Sequence, residues 1–275
     1  MTDALNHVYE TLDDVHRHEP AATRRGLIGG AAAALGSMGM LGFAAQAARA
    51  QETTGSANMA GTIANVAATA EVLATIVNTV GYENADKLGI DPVTKANLAA
   101  AAREELIHYQ TLTSSAVGGK ELTKRIWVPN DALATKEGLL QTLVVGDQIF
   151  INAYLLGITV FARTGAGVGS KGSQFARYLA EFMGAEAVHR ALALQSLGRL
   201  GNDRAFMRFA QREEVGGLPS SGQPGFYEIT GAVTQLEAAG FGFGKEGSKP
   251  GVFFEFDQVS ARTPDPGAVN TRTLS

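Results

Sequence analysis

The sequence predicts an all-α fold: a four-helix bundle with a long connection between its second and third helices, followed by an irregular Gly/Phe-rich C-terminal lobe with a short β element. Three observations predict it. Apolar residues recur at three- and four-residue spacing in four blocks between Asn58 and Gly201, each too long for a strand. The links between blocks are roughly ten, twenty and ten residues, which suits two antiparallel helix pairs joined by a crossover. After Gly201 the composition changes, because residues 201 to 275 hold 12 of the 33 glycines, five of the eight prolines and eight of the 13 phenylalanines.

The first helix runs from about Asn58 to Val80, with Ile63, Val66, Leu73, Ile76, Val77 and Val80 supplying bulk, and Gly81 and the Gly89-Ile90-Asp91-Pro92 cluster end it. The second runs from Val93 to Ser115 and stops at Gly118-Gly119. The third runs from Lys136 to Arg163, closed by Gly165, Gly167, Gly169 and Gly172, and Ser173 is a plausible N-cap for a fourth helix reaching Gly201. In the lobe, residues 202–275, Val252, Phe254 and Phe256 alternate with Phe253, Glu255 and Asp257, a strand signal. Pro264 to Ser275 reads as a surface-tracking or frayed end.

Ahead of the bundle, residues 1–50 read as an export signal. Arg24-Arg25 precedes 23 uncharged residues, Gly26 to Ala48, and Ala48-Arg49-Ala50 is a small-x-small cleavage pattern. Thr23-Arg24-Arg25-Gly26-Leu27-Ile28 resembles a twin-arginine signal, with Leu27 where Phe is usual and Gly29 where Lys is common. The expected partner is therefore the twin-arginine export machinery, and the expected location is the periplasm or the exterior. The alternative is an uncleaved anchor, which that stretch is just long enough to form. Cleavage would leave residues 51–201 as the bundle domain, with no stable membrane span.

Composition narrows the chemistry. The leader holds four basic and five acidic residues, so the remainder carries 19 Lys+Arg against 22 Asp+Glu, a charge of −3. Such a balance offers no basic field to nucleic acid. Without cysteine, disulfides, thiolate nucleophiles and Cys-ligated metals are excluded together, and any metal must be held by His, Asp or Glu.

Only two histidines, His108 and His189, lie outside the leader, and each follows a glutamate by three residues: Glu105-Leu106-Ile107-His108 and Glu186-Ala187-Val188-His189. That spacing puts carboxylate and imidazole on one helix face. Two such pairs on two helices of a bundle form the ligand pattern of dinuclear carboxylate proteins, in which each remaining helix adds one carboxylate. The third helix offers Asp147, the only acid between Glu137 and Glu181, and the first offers Glu71, the only acid between Glu52 and Glu83. Helix rise sets Glu105 and Asp147 roughly 17 Å from the same bundle end, so the four carboxylates can meet in one layer. The plainer alternative makes each Glu–His pair an ordinary helix-surface contact worth a few tenths of a kcal/mol.

On these residues the chain resembles the ferritin-like superfamily, specifically its exported, desiccation-related branch, over about Met59 to Gly201. The resemblance implies a ferritin-like bundle and the ligand set Glu71, Glu105, His108, Asp147, Glu186 and His189. Aspartate at 147 departs from the glutamate usual there, and Ala74 stands where the branch often has a second glutamate. The implied cofactor is a dinuclear iron or manganese site acting on oxygen or peroxide in stress protection, as a ferroxidase-like or peroxide-consuming oxidoreductase. No further catalytic residue is assigned, and assembly into a homo-oligomer is compatible with the pattern. The competing expectation is a non-catalytic, exported, desiccation-protective bundle with a degenerate metal site. Tyr109, Tyr154 and Tyr178 are read as amphipathic core-edge residues rather than redox groups.

Overall fold

The computed structural model describes residues 55–164, 171–202, 226 and 228–266, with the side chains of 55–59 and 164 outside that description. Residues 1–54, with the arginine pair and the cleavage pattern expected there, lie outside the described residues, as does the end from 267 onward.

Four long helices carry the fold: α1 (Gly55–Glu83), α2 (Pro92–Leu112), and, after a short strand and turn of helix, α4 (Lys136–Thr164) and α5 (Lys171–Ser196). The strand is β1 (Arg125–Pro129) and the short helix α3 (Asp131–Ala134); beyond the bundle come α6 (Thr230–Ala239), β2 (Gly242–Phe243), β3 (Gly251–Glu255) and α7 (Phe256–Ser260). All four expected helices are present, with ends shifted by a few residues. Asp91 rather than a side chain further on caps α2, accepting from the Thr94 amide at 3.0 Å, with Pro92 in the first turn where its missing N–H costs nothing. The fourth helix starts at Lys171, ahead of Ser173, and stops short of Gly201 because Gly198 adopts a left-handed φ of 73° that lets Gly198 and Arg199 donate back to the Gln195 and Leu194 carbonyls.

Contacts fix the helix directions. A Cβ placed on Gly81, near the end of α1, would sit 2.8 Å from Leu139 at the start of α4, and one on Gly157, late in α4, would sit 3.3 Å from Ile63, early in α1. Helices α1 and α4 are therefore antiparallel and close. At the other pair, Thr94 at the start of α2 shares a 2.8 Å hydrogen bond with Ser196 at the end of α5. With α1–α2 and α4–α5 as antiparallel neighbours, α2 and α4 run parallel, and residues 113–135 must travel the length of the bundle to connect them. Lys120 and Leu122 donate backbone N–H groups to Asn65 and Thr69 on the way, pinning the crossover along α1.

The core fills the space between the helices, with Ile76, Leu139, Leu140 and Ile149 essentially inaccessible, each worth about 1.5–3 kcal/mol relative to exposure. Two stretches, Ala60–Glu83 and Lys136–Arg163, are long and apolar enough to cross a membrane by length and composition alone. The first has 78% of its apolar window buried against the rest of the bundle, which accounts for its composition without lipid.

The described part of the C-terminal lobe is more regular than its composition suggests. Strand β1, from the crossover, is the centre of a three-stranded antiparallel sheet of order β2-β1-β3. Ile126 pairs with Phe243 on one side and Phe254 on the other. The alternation at 252–257 therefore marks a real strand only as far as Glu255, because Phe256 and Asp257 already begin α7, and the periodicity did not reveal the strand's partner. After β3 the chain turns into α7, which packs on α1, and Arg262 closes the contact through Glu83 at 2.7 Å.

Candidate metal centre

Midway along the bundle each long helix turns an acid inward. Glu71 from α1, Glu105 from α2 and Glu186 from α5 are fully inaccessible, and Asp147 from α4 is nearly so. The two histidines follow their glutamates by one helical turn and share their faces. Small residues make the room, since Ala67, Ala74 and Ala102 are buried around the acids.

Both imidazoles present Nδ1 to the same carboxylates. His108 Nδ1 lies 3.3 Å from Glu105 and 3.6 Å from Glu186, and His189 Nδ1 lies 3.1 Å from Glu105 and 3.7 Å from Glu186. In each glutamate one oxygen faces His108 and the other faces His189. Glu105 and Glu186 thus lie between the rings as a pair of bridges. Glu71 completes the His108 side, 3.6 Å from Nδ1, and ligand atoms of Glu71, Glu105, His108 and Glu186 all lie within 4.8 Å of one another.

Asp147 stands apart from that tight group. It is buried beside His189 on the wall of a cleft that opens between the helices, so it has the place on the His189 side that Glu71 has on the His108 side. All six residues expected from the sequence are thus gathered in one region, five of them in direct ionic contact.

Two further residues belong to the site. Glu104, one residue before the first motif glutamate, approaches His189 Nε2 to 2.6 Å and leads outward, its side chain 34% exposed. Tyr154 is buried rather than at the core edge, and its hydroxyl donates to Glu71 Oε1. A signal for Tyr154 was present, because it lies seven residues after Asp147 and therefore on the same face of α4. Phe182 stacks against the His108 ring, centroids 4.1 Å apart, and closes the site on that side.

Electrostatics follow from this crowding. Burial, then the neighbouring Glu105, pushes the Glu71 carboxyl well above its ordinary range. Burial, then Glu186, does the same to Asp147. For the imidazoles burial acts downward but is overcome by carboxylates, chiefly Glu71 at His108 and Glu104 at His189, so both rings are held well above the usual histidine value. Glu105 is the reverse case: burial raises it, yet the two histidines win and hold it low.

These groups fit a metal. Among the described residues, Glu71 Oε2, both oxygens of Glu105 and of Glu186, Asp147 Oδ2 and both histidine Nδ1 atoms are buried without a hydrogen-bond partner. Leaving that many polar atoms unsatisfied in a core is costly, and a cation among them would satisfy the set at once. Oxygen and nitrogen donors without sulfur suit divalent cations, and four carboxylates would balance two divalent charges. A buried Glu/His cluster able to hold a metal ion, in an arrangement compatible with two ions, is what the geometry establishes.

No protein-family model, curated protein or solved structure matches the chain. The functional reading therefore rests on the residues themselves.

Proposed function

We propose that the chain is a ferritin-like protein, exported by the twin-arginine route, whose buried cluster is a dinuclear iron or manganese centre acting on oxygen or peroxide in stress protection. The observation that carries it is the bridging position of Glu105 and Glu186 between two imidazoles that both present Nδ1. The crossover topology and the two Glu-x-x-His motifs support the ferritin-like assignment, and the arginine pair before an uncharged stretch supports export.

His108 with Glu71 would hold one ion, His189 with Asp147 the other, and Glu105 and Glu186 would span both. When bound, such a pair supplies reversible one-electron chemistry and Lewis acidity in a site shielded from bulk water. The chain's own contribution is to fix the donors: Tyr154 orients Glu71, Glu104 orients His189, and Phe182 excludes water from the His108 face.

Elemental analysis after native export, beside a His108→Ala/His189→Ala variant, tests this reading. About two equivalents of iron or manganese, lost in the variant, support it. Asp147, lying outside the tight group, favours a second reading in which the bundle is a non-catalytic protective protein with a degenerate site. Metal-free protein whose stability the variant leaves unchanged would establish that one instead.

A further inference from the structure

Beside the buried cluster a narrow cleft, with about 20 Å³ of room for the centre of a water-sized molecule, runs between the helices from the end of the bundle where α2 begins. Thr94 and Ser196, joined by their 2.8 Å hydrogen bond, stand at its outer end. Leu98, Ala101, Leu140, Leu143 and Ala193 form apolar walls, and Asp147 and His189 stand at its inner end. Thr94 and Ala101 are seven residues apart on α2, so the passage covers roughly 10 Å of helix rise.

One atom on the lining side chains lacks what it needs. Asn78 is buried, and its Nδ2 donates to the Ala74 carbonyl at 3.1 Å, which fixes which end of the amide is oxygen. Asn78 Oδ1 is left buried with no donor among the described residues. It belongs to a side chain nine-tenths or more buried, and an amide oxygen only accepts. A buried acceptor without a donor is costly, so the vacancy favours an occupant that donates.

We propose that this cleft is a binding site for a small, neutral, hydrogen-bond-donating molecule, of the size of hydrogen peroxide or methanol, held by Asn78 on its way to the cluster. Size sets the first limit: about 20 Å³ of room for the centre of a water-sized molecule holds one small molecule of a few heavy atoms and nothing drug-sized. Apolar walls set the second, since a charged molecule would lose its hydration there without a partner. The Asn78 acceptor sets the third, selecting a donor over dioxygen, which has no proton to offer. The inference deepens the metal reading and depends on it only for what becomes of the ligand at the inner end.

The test uses the full-length protein dialysed against chelator, so that binding is read independently of metal loading. Methyl NMR at Ala101 and Ala193 is followed during titration with methanol, hydrogen peroxide, acetonitrile or tert-butanol. Methanol and peroxide are expected to give saturable shifts at both methyls, acetonitrile to bind at least about fivefold more weakly, and tert-butanol to give none. Asn78→Leu should lower methanol affinity by about tenfold and leave acetonitrile unchanged, the size expected for one lost hydrogen bond; Asn78→Ala serves if the leucine variant does not fold. Equal affinity for methanol and acetonitrile, entry of tert-butanol, or no response to either substitution overturns the proposal. Metal analysis is separate, so probe binding in a protein that never holds iron or manganese sinks the metal reading alone.

Discussion

Glu104 and Glu105 are neighbours in sequence, yet they reach the same imidazole from opposite sides: Glu104 lies 2.6 Å from His189 Nε2 and Glu105 lies 3.1 Å from His189 Nδ1. The ring is therefore held between a half-exposed carboxylate and a buried one. Its Nε2 proton goes to Glu104, which leaves Nδ1 directed at the cluster.

Glu104→Ala removes the outer restraint without touching a predicted ligand. Metal affinity is expected to fall by about 10–100-fold, the usual effect of deleting such a partner. Glu104→Gln, whose amide oxygen can still accept from Nε2, should recover most of it. Competition against a chromogenic chelator measures both.

The bridging geometry separates the acids into two kinds. Replacing Glu105 by alanine removes a group that faces both histidines, so both metal equivalents should be lost. Glu71→Ala or Asp147→Ala touches one side only, and each variant is expected to retain about one equivalent of the two that a dinuclear site holds. Stoichiometry by elemental analysis distinguishes the cases.

Metal-free protein should lose stability as pH rises. His108 and His189 have folded values raised above 6.5, so their contribution is complete below the unfolded value and is lost as pH climbs through the folded one. Glu71 and Asp147, raised above 4.5 and 3.8, act in the same direction. Glu105 opposes them only at the acid end, where its depressed value makes stability fall as pH drops through it. Calorimetry between about pH 6 and about pH 9 should therefore show a falling Tm without metal. Metal uptake must displace these protons, so apparent affinity should increase over the same range, with proton release measurable in weakly buffered solution.

Tyr154→Phe leaves the ring's packing in place and removes the donor to Glu71. A cost of about 1–3 kcal/mol is expected in the metal-free protein, from one more unsatisfied buried acceptor. Urea unfolding reads it, and the cost should shrink when metal is bound, because the ion then satisfies the carboxylate.

The helices and the six inward residues were legible because both depend on local spacing. A 3.6-residue period places Glu105 with His108 and Glu186 with His189, and a lone acid in an apolar helix, such as Glu71 or Asp147, has few reasons to be there besides a partner. Glu104 was missed because an acid beside the motif glutamate points about 100° away on its own helix, and only the neighbouring helix reveals what it meets. Strand β1 escaped notice for a related reason: its pairing joins Arg125 to Glu255 and Pro129 to Gly251, and local alternation does not encode so distant a partner.

Strand β1 also sets an order of events during synthesis. Both of its neighbours come from the tail, so the middle strand emerges from the ribosome roughly 130 positions ahead of the last residue it pairs with, Glu255. Until that segment arrives, the nascent crossover carries two open strand edges, the feature that invites wrong association between chains. A protein ended early, before β3, would keep all four bundle helices and all six residues of the buried cluster, and would still leave one edge of that middle strand open.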